Sequence, residues 1–537
     1  MRLWRTPAEY RTLIVTSRRI SRLSQCSRLR DVSCSLRLPP VPEAMPQQSR
    51  VRSVVVTFAA VLAVGGLSLP SRALPAQTRA ALPSDPTAAL LVEVIRVNTS
   101  NPPGNEGQIA ELLAPRFRQL GFEVQIIATP VAGKAHFIAR LRGDGSKKPI
   151  LLAAHADVVG VEREKWSVDP FAGVVKDGHV YGRGAIDFKG GLAVFARAVM
   201  MLAERKIPLS RDVIFLAEAD EEGAPYNTTW LARDHFASID AEFALNEGGW
   251  IIKDAAGKTQ YVSVSTADKS TVSLTVTARG TSTHASMPLR DNAIFALARA
   301  LGKLSNYETP VQLTTSTRQF FATLAETSSP PLSGYFRDLL SGVPARMQIA
   351  DSVISRDPLL HAIMRNTIAP VLLNAGFRSN VIPGSAQATI NVRLIPGTPI
   401  ASIIAELQRV VNDSHIDIAA VAPATAAGPA ATGGGTVATP TRPIPESPTS
   451  SELYQALERE ALAQFPGAKV TPYLFQAGTD AGAWRSRGIP VFGIYPYPIT
   501  ADELTRMHGN DERVSIESLK QGTEMIYRTL VRVAGKP

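Results

Sequence analysis

The chain has 537 residues, with 57 Lys+Arg against 47 Asp+Glu and two cysteines. Its formal charge of +10 is concentrated at the N-terminus: residues 1–52 hold eleven Arg and three acids, and with Arg72 also set aside residues 77–537 carry about +1. Cys26 and Cys34 lie in the same basic stretch, so the body is near-neutral and cysteine-free. That excludes a nucleic-acid-binding charge pattern, a disulfide framework, thiolate-held metal and a cysteine nucleophile.

Residues 53–69 form a charge-free apolar run, preceded by Arg50 and Arg52 and followed by Pro70 and small residues. This is the order of a secretory signal, with cleavage after Ala73 or near Ala76. An uncleaved membrane anchor is the alternative, because the run is close to the spanning minimum. Residues 1–44 precede Met45, where translation of a conventional signal peptide would start. Residues 1–76 are therefore assigned to a basic leader plus signal peptide, the signal itself spanning about 45–76. The expected location is secreted or periplasmic, with no stable membrane association after cleavage.

In the body, residues 85–98 predict a helix, with Asp85 as N-cap and Pro86 at the first position. A second helix over 106–120 stops at Gly121. Short apolar runs at 122–128, 136–142, 149–155, 211–218 and 241–246 alternate with helical segments 190–206 and 228–236. Strands apolar on both faces, interleaved with helices, predict an α/β fold: a mixed, mostly parallel sheet flanked by helices. Residues 261–278 alternate with period two and fit an antiparallel strand, 385–394 alternate again, and 291–303 and 399–412 are helical. That predicts an inserted α+β domain. The chain divides into a first catalytic part (83–265), the insertion (268–421), an irregular Ala/Pro/Gly/Thr-rich linker (422–450) and a second catalytic part (451–537). Thr449-Ser-Ser-Glu452 has the pattern of a capping box opening a helix at 451–464. Strand 489–495 and helix 515–533 close the chain.

Acids and histidines cluster where these strands end, which is where such sheets collect ligands. The strand 151–154 runs into His155-Ala-Asp157, whose i, i+2 spacing puts both side chains on one face. That suits an imidazole metal ligand with a carboxylate partner, or an ordinary loop histidine. Asp187 sits in the glycine-rich stretch 182–191, as a bridge between two cations or as a helix N-cap. Glu218, Asp220, Glu221 and Glu222 crowd four acids into five residues directly after a strand. They repel one another unless solvent or a cation neutralises them. Glu247, in Asn246-Glu-Gly-Gly249, and His508, in Met507-His-Gly-Asn-Asp-Glu512, complete the set. Two His and several carboxylates favour zinc, manganese or cobalt over a thiolate-seeking metal. Their number suits a pair of ions sharing one carboxylate.

The motifs His155–Asp157, 182–191, 218–223, 246–249 and 507–512, in this order, resemble the M20 family of metallopeptidases, which includes aminoacylase, glutamate carboxypeptidase and succinyl-diaminopimelate desuccinylase. The Asn-Glu-Gly-Gly form and the long insertion look most like the carboxypeptidase S branch. The resemblance implies two divalent metal ions, Zn in the first instance and Co or Mn as alternatives. His155, Asp187 and Glu247 would hold one ion; His508, Asp187 and Glu222 the other. It implies Glu221 as general base, Asp157 as the partner that orients His155, and a cis Asp187–Phe188 peptide. It also makes the inserted domain a lid through which a homodimer can form. On the lid His284, within 280–288, would be an oxyanion donor, while Arg393 and Asn380 would anchor substrate. Gly478, in Gly-Thr-Asp480, would lie near the substrate. Residues 306–376 exceed a minimal lid and are expected to cover the cleft or shape an acyl pocket.

The expected function is therefore hydrolysis of an amide bond beside a free carboxylate, as a carboxypeptidase or dipeptidase acting on small peptides. Deacylation of N-acyl amino acids by the same machinery is the alternative. A non-catalytic binding protein on this fold is the reading of a different class, and the intact Glu221 argues against it.

Overall fold

A computed structural model describes residues 82–223, 225–421 and 444–536. The leader, the apolar run 53–69 and linker residues 422–443 lie outside the described residues. Among those described, no helix is long and apolar enough to cross a membrane.

The chain opens with α1 (Pro86–Ile95) and α2 (Glu106–Gln119). The Asp85 side chain accepts the Ala88 N–H at 2.8 Å, as the N-cap pattern predicts. Then follow β1 (Glu123–Ala128), β2 (Ala135–Leu141), β3 (Ile150–His155), the short β4 (Val174–Lys176) and β5 (His179–Tyr181), and α3 (Lys189–Glu204). Next come β6 (Val213–Glu218), α4 (Thr228–Asp234), β7 (Phe243–Lys253) and β8 (Thr259–Asp268). Every residue of β3 and β6 is buried, because helices cover both faces of the sheet.

The lid begins at β9 (Ser270–Arg279) and contains the two-residue β10 (Thr283–His284) and α5 (Ala293–Ser305). Helices α6 (Thr315–Thr327), α7 (Leu332–Leu339), α8 (Pro344–Ile354) and α9 (Pro358–Met364) interrupt it. It resumes with β11 (Thr367–Ala375), β12 (Val381–Ile382), β13 (Ser385–Leu394), α10 (Ile400–Val411) and β14 (Ile416–Ala420). Its antiparallel sheet has the order β11-β13-β9-β14. Val272, Leu274 and Val276 of β9 and Ile390 and Val392 of β13 alternate inward to meet Leu297 of α5 and Ile403 and Leu407 of α10 in a separate apolar core.

The final segment supplies α11 (Glu452–Gln464), β15 (Lys469–Phe475), the short α12 (Gly482–Arg485), β16 (Val491–Ile499), the short α13 (Ala501–Leu504), β17 (Arg513–Ser515) and α14 (Ile516–Ala534). The eight-stranded main sheet runs β1-β2-β6-β3-β7-β16-β8-β15. Strands β6, β3, β7 and β16 are mutually parallel; β1, β2 and β8 supply the antiparallel pairings.

Three local expectations differ from the structure. The alternating run 261–278 is two strands in two sheets: β8 pairs with β15 in the main sheet, and the chain crosses into the lid at Lys269. The buried Lys269 Nζ donates to the carbonyls of Ala362 (2.8 Å) and Arg365 (2.7 Å), so the outgoing and returning crossings are tied together. The insertion α6–α9 packs on the main sheet and belongs to its core. Phe320 meets Tyr473 edge-on at 5.0 Å and Tyr261 at 5.9 Å. At α11 the N-cap is Ser451 without a side-chain cap bond. Glu452 turns instead to Arg211 and Lys147, both at 2.7 Å, and its carboxylate is no longer available to close a capping box.

Candidate metal centre

Five peptide segments converge at the carboxyl ends of the parallel strands. β3 ends in His155, β6 leads into the turn carrying Glu221 and Glu222, β7 carries Glu247, and the loop before α3 carries Asp187. His508 arrives from the loop between α13 and β17. Strand β7 can enter this region only because of its glycines. A Cβ on Gly249 would lie 2.0 Å from the Ser263 carbonyl oxygen, and Gly248 has φ +149°.

Asp187 lies between the two imidazoles and offers one oxygen to each. His155 Nε2 is 3.1 Å from Asp187 Oδ1 and 3.4 Å from Glu247 Oε2. His508 Nε2 is 2.9 Å from Asp187 Oδ2 and 3.0 Å from Glu222 Oε1. All five residues expected to ligate metal are thus together. Glu221 is among them: one donor atom each of His155, Glu221 and Glu247 lies within 4.8 Å of the others. Asp187–Phe188 is a cis peptide, as the resemblance implied.

The orientation of His155 differs from expectation in one atom. Its Nδ1 bonds to the main-chain carbonyl of Asp157 at 2.9 Å, while the Asp157 carboxylate stands off at 3.8 Å. A carbonyl only accepts, so Nδ1 carries a proton, and Nε2 is the nitrogen left free to ligate once His155 is neutral. The Asp157 carboxylate holds the opposite wall. Oδ1 accepts the Glu221 N–H at 3.1 Å, and Oδ2 accepts the Glu222 N–H at 3.0 Å and Asn101 Nδ2 at 2.8 Å. Asn101 also donates to Asp220 Oδ1 at 2.8 Å. His136 pins the same turn from outside: Nδ1 accepts the Ala219 N–H, and Nε2 donates to the Tyr226 carbonyl. Gly223 makes room for this arrangement, since a Cβ there would fall 2.3 Å from Asn101 Nδ2.

The electrostatics are those of acids held close together. Burial, then the charges of Glu247 and Glu222, push the Glu221 carboxyl well above the usual range. Burial also raises Glu247, to about 7, against the opposing charge of His155. For His508 burial disfavours the charge, but hydrogen bonds to Asp187 and Glu222 outweigh it and raise the imidazole to about 10. Such a set of N and O donors, buried except at His508 and Glu222 and negatively charged once the imidazoles are neutral, fits divalent cations of the zinc, manganese or cobalt type.

The substrate-side expectations divide. Arg393 is anchored by Nη1 donating to Thr271 Oγ1 (2.6 Å) and Nε donating to Asn391 Oδ1 (3.1 Å). Its guanidinium feels the charge of Glu221, which places the two within electrostatic reach. A Cβ on Gly478 would come 4.0 Å from Arg393 Nη1, so these two residues share a site. His284 and Asn380 are adjacent to each other on the exposed edge of the lid: the Ala285 N–H donates to the Asn380 carbonyl at 3.0 Å, and His284 pairs with Val381. His284 bonds to Ser286 Oγ at 2.7 Å and takes no part in the cluster.

Several site residues carry no sequence signal. The Tyr495 hydroxyl lies 3.0 Å from Glu247 Oε2 and 3.1 Å from Asp187 Oδ1. Its ring stacks on Trp250 at 4.2 Å. Asn101 and Lys134, whose Nζ donates to Asn101 Oδ1 at 2.9 Å, are equally ordinary in sequence.

A mixed sheet, an inserted lid and an imidazole–carboxylate cluster at the strand ends define an α/β protein with a lid domain and a candidate metal centre. The chain belongs to peptidase family M20/M25/M40, whose sequence pattern matches residues 151–532. It is 31% identical over 394 residues to the probable carboxypeptidase S-like 2 of Dictyostelium discoideum, covering 72% of each chain. It is 26% identical over 402 residues to the human N-fatty-acyl-amino acid synthase/hydrolase PM20D1, covering 74% of this chain and 76% of the human one. Its fold superposes on that of an M20 metallo-carboxypeptidase, Sso-CP2 of Sulfolobus solfataricus, with a TM-score of 0.60 at 16% identity, over 84% of this chain and 99% of that one.

Proposed function

We propose that this hydrolase uses two divalent cations to cleave an amide bond next to a free carboxylate, as a carboxypeptidase or dipeptidase. The observation that carries the reading is Asp187, with one oxygen 3.1 Å from His155 and the other 2.9 Å from His508. His155, Asp187 and Glu247 would hold one ion; His508, Asp187 and Glu222 the other. Zinc is the first candidate, with manganese and cobalt as alternatives. When bound, such ions polarise the scissile carbonyl and make hydroxide available at neutral pH.

The chain's own residues do the rest. A Glu221 carboxylate oxygen takes the proton released by the attacking water and returns it to the leaving nitrogen. Burial and the neighbouring acids raise its pKa, the direction that favours returning the proton to the leaving group. Arg393 grips the substrate carboxylate, with Gly478 leaving space beside it. His284, on the lid, donates to the developing oxyanion. Its exposed position suits service across a homodimer. The exposed edge strand β11, with Val371, Leu372 and Leu373 more than half exposed, supports pairing of two lids. We further propose export directed by residues 45–76.

N-acyl amino acid deacylation is the second reading, favoured by the likeness to PM20D1 along three quarters of both chains. One panel separates the two: dipeptides, N-acyl amino acids and their C-terminal amides, assayed with zinc, manganese and cobalt. Peptidase action predicts turnover of dipeptides above N-acyl amino acids, and the reverse ranking selects deacylation. Equal turnover of the amides would remove the free-carboxylate requirement from both.

A further inference from the structure

The loops that carry Asp187 and His508 share one buried ion pair. Arg183 Nη1 and Glu512 Oε2 are 2.7 Å apart, and the two residues are 2% and 0% exposed. The Glu512 carboxylate is turned wholly on the loop that leads to Asp187. Oε2 also accepts the Gly184 N–H at 2.9 Å, and Oε1 accepts the N–H groups of Ile186 (2.7 Å) and Asp187 itself (2.9 Å). Nη2 of Arg183 reaches the opposite loop, donating to the carbonyls of Gly509 at 2.9 Å and His508 at 3.3 Å. The guanidinium lies over the Trp166 ring, 5.3 Å from its centroid.

His508 has φ +57°, a left-handed conformation that a non-glycine residue keeps only where its surroundings hold it. The bond from Arg183 to its carbonyl is such a restraint. A buried ion pair is by itself a poor stabilising device, since well-packed apolar residues often serve as well. Apolar residues could not hold five main-chain groups on two loops in register.

We propose that Arg183 and Glu512 are positioning residues that set the separation of Asp187 and His508, and thereby the affinity of the centre for its second cation. The inference rests on the two-metal reading above.

The test reads binding rather than turnover. The metal-free full chain is dialysed to equilibrium against Zn²⁺, and bound metal is counted for wild type, Glu512→Gln, Arg183→Lys and Arg211→Lys. Glu512→Gln puts an amide N–H₂ against main-chain donors. Arg183→Lys keeps the charge but loses the fork that holds Glu512 and the carbonyls of the His508 loop at once. Arg211 is an equally buried arginine, paired with Glu242 and Glu452 at the far end of β6. It controls for general destabilisation. The second binding step should weaken about 10- to 100-fold in the two site variants and stay unchanged in Arg211→Lys. Unchanged affinity in both site variants, or equal weakening in Arg211→Lys, overturns the inference while the two-metal reading stands. If Glu512→Gln does not fold, Arg183→Lys decides alone. A wild-type chain that takes up fewer than two cations overturns the two-metal reading itself, and the inference with it.

Discussion

Tyr495 reaches Glu247 from the neighbouring parallel strand, hydroxyl to Oε2, at 3.0 Å. The same hydroxyl is 3.1 Å from Asp187 Oδ1, so one phenol borders two carboxylates expected to ligate the same ion. Burial, then the charges of Asp187 and Glu247, raise its pKa well above the ordinary value, which keeps it a neutral donor. The Tyr495→Phe variant keeps the ring stacked on Trp250 and removes only the hydroxyl, with its contacts to Glu247 and Asp187. Cation affinity, measured by titration calorimetry, should fall by roughly 10-fold, the lower end for partners of metal ligands. Tm should change little. Unaltered affinity would show that Tyr495 is packing alone.

The ligand motifs were legible because metal chemistry demands particular residue types at strand ends, and His155, Asp187, Glu222, Glu247 and His508 have no packing reason to be there. The lid strand Ser385–Leu394 was legible for a different reason: one face is buried, so its alternation is clean. Tyr495 was not legible, because a tyrosine in an apolar strand looks like core until its neighbours are known. Lys269 hides a change of sheet, since period two is the same in both sheets it joins. The faces of α6–α9 also gave no sign of which domain they would cover, because an apolar stripe does not name its partner. Residues 449–452 fit a capping box locally and lost it to a tertiary contact, the pull of Arg211 on Glu452.

Proton and cation compete at this centre with opposite pH signs. In the metal-free chain His508 is raised from 6.5 to about 10, and His155 well above its usual value, where the Glu247 charge and the Asp187 hydrogen bond outweigh burial. A histidine raised on folding stabilises fully below its unfolded pKa, and that contribution is lost as pH climbs through the folded value. Glu247, raised from 4.5 to about 7, acts in the same direction but mainly between those two values, below the histidine window. The metal-free Tm should therefore fall between pH 6.5 and 10, modestly, because His508 is 48% exposed and water screens its pairs. Cation affinity should rise over the same interval, because an imidazole ligates only when neutral. Calorimetric titrations in buffers of different ionisation enthalpy will show proton release on binding; zero release at pH 7 contradicts the protonated imidazoles.

Glu221 separates binding from proton transfer. Glu221→Gln keeps the shape, and its main-chain N–H still donates to Asp157. With the carboxylate gone, kcat should drop by about 10²- to 10⁴-fold. Metal content, by elemental analysis, should stay at two per chain and KM should move little. A variant that hydrolyses at the wild-type rate ends the general-base assignment. One that loses a metal makes Glu221 a ligand, which its closeness to His155 and Glu247 allows.

Arg393 tests the specificity claim most directly. Its guanidinium is fixed by Thr271 and Asn391 on the lid sheet, and Gly478 of the catalytic domain borders it. A substrate carboxylate held there gains a charge-assisted bond of about 1.5–3 kcal/mol, and replacing the arginine removes it. Arg393→Ala should therefore lower kcat/KM about 10- to 100-fold on substrates with a free carboxylate. On the matching C-terminal amides, where no charged partner exists, it should change little. Arg393→Lys should recover only part of the loss, because a point charge cannot reproduce two parallel bonds. Equal losses on acid and amide substrates would make Arg393 a structural strap of the lid, and the preference for a free carboxylate would then need another cation.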